Sequence, residues 1–101
     1  MAQRSELQTV LEGLLGSRNV YFQPTPSLTM EYPAIVYHRD DRSTDWAGNV
    51  PYRHMKGYTI TVIDRNPDSD IPDKIADLPM CVFERFYTAD NLNHDVYKIF
   101  F

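Results

Sequence analysis

Three histidines, one cysteine and fourteen carboxylates are the groups in this chain of 101 residues whose chemistry could be put to use. His38, His54 and His94 stand far apart in sequence, and none falls in an H-x-x-x-H or H-E-x-x-H spacing that would set two imidazoles on one metal. They read as surface or strand-edge histidines. His38 with Asp40 and Asp45 has the residue types of an acid/base pair, but those types are common in any polar loop, and the reading assigns them no catalysis. Cys81 has no second thiol for a disulfide or a zinc ligand set, which leaves it a small buried hydrophobe. The stretch Asp90 to Asp95 imitates a calcium loop and fails as one: Leu92 holds the third position, His94 the fifth and Asp95 the sixth, where glycine is needed. Four glycines in all leave no G-x-G-x-x-G, P-loop or G-x-S-x-G, so there is no phosphate cradle or nucleophile elbow. Asp64, Asp68, Asp70, Asp73 and Asp77 read as a solvated helix N-terminus held by the helix dipole. The sequence thus predicts no enzyme, no metal and no cofactor.

A formal charge of −4, from ten Lys and Arg against fourteen Asp and Glu, argues against grip on a nucleic-acid backbone, which needs a basic stripe to release counterions. The opening residues lack an apolar signal core and no apolar run reaches the length of a membrane span, so a cytoplasmic protein without membrane contact is expected. With 43% hydrophobic and 24% charged residues, the chain reads as one globular domain over 1–101. Domains this small commonly gain stability from partner subunits.

The elements that would position any such groups follow from periodicity. Leu7, Val10, Leu11, Leu14 and Leu15 make one apolar helix face, with Ser5 and Gln8 as a capping box and Gly16 as the stop. Ser17 to Pro33 reads as a proline-bracketed connector in which Val20-Tyr21-Phe22 adds a short extended piece. Ala34 to Arg39 and Tyr58 to Asp64 alternate as strands. Asp70 is the expected N-cap of a helix over Ile71 to Leu78, with Pro72 in its first turn and Pro79 ending it. Cys81 to Thr88 and Val96 to Phe101 follow as strands joined across Asp90-Asn91-Leu92-Asn93. The predicted fold class is α+β, in the order α-β-β-α-β-β, with a largely antiparallel four-stranded sheet and helices packed on one face.

The last two strands are apolar on both faces: strict alternation sets Val82 and Phe86 against Phe83 and Tyr87, and Val96 and Phe100 against Tyr97, Ile99 and Phe101. A sheet wet on one face alternates more cleanly than this. A neighbouring subunit is therefore expected on the second face. Asp40 to Tyr52, a long polar loop that carries Trp46, reads as a contact arm. The candidate interface residues are Asp45, Trp46, Val50, Tyr97, Ile99 and Phe101.

The run from Tyr58 to Ser69, followed by Leu78-Pro79 and then Tyr87 to Asp95, resembles small tail terminator proteins of long-tailed bacteriophages, as does Tyr32 to Tyr37 for that family's first strand. The resemblance spans roughly residues 20 to 101 and lies in order and composition, with no functional residue fixed well enough to carry over. It implies a homo-oligomer, a hexameric ring that caps the tail tube and joins it to the head-neck complex. Its partners would be the tail tube protein and a neck or head completion protein, DNA would pass through without specific binding, and its place would be the virion. Two alternatives stand beside it: another neck protein, such as a stopper, and a small α+β ligand-binding or enzymatic domain.

Overall fold

Leu7 and Leu11 are fully buried and fix the inner face of the first helix, α1 (Arg4–Leu15), which packs on one side of a sheet. The computed structural model describes residues 4–24, 29–40 and 57–101. After α1 come β1 (Val20–Phe22), β2 (Ala34–Arg39), β3 (Gly57–Asp64), α2 (Ile71–Ala76), β4 (Cys81–Ala89) and β5 (Leu92–Phe100). The sheet order is β1-β2-β3-β5-β4, with β1 parallel to β2 and every other pair antiparallel.

This corrects the expected four-stranded arrangement: the described residues form a mixed five-stranded sheet in the order α-β-β-β-α-β-β. The fifth strand is Val20–Phe22, expected as part of a connector. Its three residues are too few to show an alternation, and what makes them a strand is pairing with β2. The Ile35 amide donates to the Asn19 carbonyl and the Gln23 amide to the Tyr37 carbonyl, each at 2.9 Å. The Gln8 side chain also donates to the Val20 carbonyl, at 3.1 Å. Gln8 is therefore engaged with β1 and does not close the expected capping box, and Ser5 lies inside the helix. Gly16, with φ of +80°, ends α1 as expected, its amide donating to the Glu12 carbonyl.

Both helices lie on one face, because α2 turns Ile71 and Ile75 into the same core as Leu7 and Leu11. The strands meet them with Ile35 and Tyr37 from β2, Tyr58, Ile60 and Val62 from β3, and Tyr97 and Ile99 from β5. Opposite residues of antiparallel strands share a face, and the register sets these seven side by side. α2 begins after a chain of Asx turns in which Asp64 accepts from the Asn66 amide and Asn66 from the Asp68 amide. Asp70 stands at the N-cap as expected, but its side chain makes no cap and pairs loosely with Lys74; Ser69 accepts from the Ile71 amide at 3.3 Å instead. The helix also ends two residues before the predicted Leu78.

The hairpin between β4 and β5 is tighter than expected. Asp90 and Asn91 alone make the turn, with φ of +53° and +62°, so Leu92 is a buried strand residue instead of a loop residue. Two successive left-handed residues give the turn whose twist matches the strands it joins. Asp and Asn tolerate that region where glycine is more usual.

Candidate assembly surface

β4 lies at the edge of the sheet with β5 on one side of it, and among the described residues no strand pairs with the other. From Val82 to Ala89 every residue is exposed. Among the described residues Val82 (45%), Phe83 (53%), Phe86 (54%) and Tyr87 (40%) are the exposed large hydrophobics. Four such residues on one open strand are the departure from ordinary surface composition, since scattered apolar residues are unremarkable and a contiguous group is not.

A bulge decides how these side chains are distributed. Phe83 stands opposite Tyr97, yet Arg85 stands opposite the next residue of β5, Val96, which leaves Glu84 as the extra residue. The strict alternation expected from sequence is thereby broken. Phe83 and Phe86 share the helix face, opposite Tyr97 and Asp95, while Val82 and Tyr87 share the other, opposite Lys98 and His94. Phe83 meets the Tyr97 ring edge-on at 5.5 Å. On the far face Tyr87 stacks on His94 at 4.6 Å, and the Arg85 guanidinium lies 5.5 Å from the Tyr87 ring.

Beside Phe86 an open hollow of about 390 Å³ runs under the start of α2, lined by Asp64, Asp68, Pro72, Asp73 and Asp95 among others. Burial raises the Asp95 carboxyl above its ordinary value, Asp73 raises it further, and His94 opposes both. The Tyr97 phenol donates to the Pro72 carbonyl at 3.0 Å, and burial, with Asp95 adding to it, pushes its pKa to about 12. Burial likewise pushes Cys81 to about 11, which leaves it a thiol at neutral pH and a weak nucleophile. Among the described residues no three His, Cys, Asp or Glu side chains are grouped to hold a metal.

The remaining sequence-predicted groups fall elsewhere. Tyr97 and Ile99 are buried in the core, and Phe101 packs partly buried against it, so these three hold the subunit together from inside. Asp45, Trp46, Val50 and His54 lie outside the described residues, as does the expected arm beyond Asp40. His38 is exposed, and Asp40 does not serve it. Asp40 instead accepts from the Thr59 hydroxyl at 2.9 Å and pairs with Lys98 at 3.5 Å, and the Lys98 ammonium also donates to the Asp40 carbonyl. This buried cluster sits on the sheet face away from the helices, and the sequence reading missed it. Its signal was a lysine set between Tyr97 and Ile99 in an otherwise apolar strand.

No family model, curated protein or solved structure matches the chain.

Proposed function

We propose that this chain is a structural subunit of a bacteriophage tail: a tail terminator that forms a ring on the finished tail tube and joins it to the head-neck complex, allowing DNA passage. The observation that supports it best is the open edge strand β4, with exposed apolar side chains on both faces of the sheet, which a neighbouring subunit or the tail tube would cover. Exposed apolar area of this kind costs roughly 25 cal/mol per Å², and an assembly recovers that cost. The resemblance of Tyr58 to Ser69 and of Tyr87 to Asp95 to tail terminators supplies the kind of assembly. Exposed carboxylates at Asp68, Asp70, Asp73 and Asp77 fit the same reading, because a channel lined with like charge lets phosphates slide.

Negative-stain microscopy and native mass spectrometry of the purified protein, alone and with tail tubes, test the proposal. Rings, free or seated on tube ends, are the expected result. A strictly monomeric species at all micromolar concentrations, with bare tube ends in its presence, overturns it.

A further inference from the structure

The bulge at Glu84 makes β4 self-complementary. In a regular antiparallel pair, opposite residues must share a face, so a strand can face a two-fold copy of itself only in registers that join residues of like parity. β4 escapes this because its extra residue shifts the alternation by one at its centre. Turned about a two-fold axis through the bulge, the strand sets Glu84 opposite Arg85 of the second copy, and Arg85 opposite Glu84. Outward from there Phe83 meets Phe86 on the helix face, Val82 meets Tyr87 on the far face, and Cys81 meets Thr88 on the helix face. The side of the sheet assigned to each by β5 is the side this register demands: Phe83, Phe86, Cys81 and Thr88 stand opposite Tyr97, Asp95, Ile99 and Asn93, while Val82 and Tyr87 stand opposite Lys98 and His94.

We propose that a second copy of this chain occupies the β4 edge, antiparallel and two-fold, with Glu84 and Arg85 forming reciprocal pairs at the axis. Charge complementarity commits the choice. The one other strand edge among the described residues, β1, offers three residues against nine and carries no charged side chain to meet Glu84 or Arg85. The paired edges shield the exposed phenylalanines and tyrosines of both copies, with the ladder running on either side of the facing bulges. This state belongs to the free subunit and does not depend on the ring. A two-fold contact saturates in pairs, so ring building would exchange it or use another surface.

Sedimentation velocity on the full chain over the micromolar range reads the pairing. A dimer is expected, weakened about tenfold or more by Arg85→Glu, since two attractive cross-strand pairs become two repulsive ones. The double exchange Glu84→Arg with Arg85→Glu restores it. The register is read independently by Thr88→Cys. That thiol would face Cys81 of the second copy at the 4.5–5.5 Å Cα separation of cross-strand neighbours, within disulfide range. Oxidised glutathione, applied over hours in alkaline buffer because the Cys81 thiol ionises reluctantly, should then yield a disulfide-linked dimer on a non-reducing gel. The wild-type chain should yield none, because its two Cys81 residues would lie at opposite ends of the ladder, roughly 20 Å apart. A wild-type chain that stays monomeric, an Arg85→Glu variant that pairs as well as wild type, or a Thr88→Cys variant that does not cross-link overturns the proposal. Dimers in solution with no rings on tube ends would sink the tail reading and leave this one standing; rings without dimers would do the reverse.

Discussion

Lys98 and Asp40 form an ion pair on the sheet face that the helices do not cover, Nζ to Oδ1 3.5 Å, with side chains only 7% and 10% exposed. Thr59 donates to the other carboxylate oxygen. Removing one member of a buried pair strands the other, whereas replacing both with apolar groups need not destabilise. Lys98→Met should therefore cost about 3 kcal/mol of unfolding free energy in urea, toward the low end for such pairs because the Thr59 bond survives. The double variant Asp40→Leu, Lys98→Met should recover part of that loss.

Tyr97→Phe removes the bond to the Pro72 carbonyl while keeping the buried ring. A cost of about 1–2 kcal/mol is expected, that of leaving a part-buried acceptor unmet. Tyr37→Phe should cost a similar amount, about 1–2 kcal/mol, since its hydroxyl donates to Gln8 at 2.6 Å and accepts from Arg4 at 3.2 Å. Thermal unfolding of the two variants and their double checks whether the losses add, as they should for separate sites.

Asp95 carries a pH signature. Its folded carboxyl holds a proton more tightly than the unfolded chain does, because burial and then Asp73 disfavour the charge. Its contribution is therefore stabilising in acid, below the ordinary carboxylate value, and is lost as pH rises through the raised one. At neutral pH Asp95→Asn should stabilise, by less than about 1 kcal/mol because the carboxyl is only partly buried and still screened by water. Melting curves should show that gain shrinking to nothing by about pH 3.

Phe86→Ser should leave the isolated subunit's unfolding within about 0.5 kcal/mol of wild type, because its ring is more than half exposed. Assembly should be impaired. Ile99→Ala is the contrast, expected to cost about 2–5 kcal/mol because that side chain is buried. Circular dichroism melts beside sedimentation of the same samples separate the two effects.

The parts of this fold legible in sequence are those whose own residues repeat a period. The Leu7, Leu11 stripe and the alternation of Ala34 to Arg39 carry their burial on their face, and both elements stand where the period puts them. Val20–Phe22 could not be read so, since three residues hold no period and the strand exists through hydrogen bonds made with distant Ile35 and Tyr37. The Asp90-Asn91 turn lacks the glycine that marks such turns, so its two-residue length is not visible in the residues alone. At the candidate surface, the apolar residues of β4 were visible, but their sorting onto faces depends on one bulged residue. A bulge is set by the ladder as a whole and leaves no local mark at Glu84.

Among the described residues β1 and β4 end the sheet very differently: one edge is three residues long and half-buried under Arg4 and Gln8, the other nine residues long and exposed from Val82 onward. In the language of polymer chemistry the subunit is monofunctional for sheet extension. The pairing proposed for β4 would consume the one long edge among the described residues, so strand addition would end at two copies and not propagate into a fibre. Of the two edges among the described residues, only one is long and exposed enough to template a further strand, and that inequality works against open-ended growth.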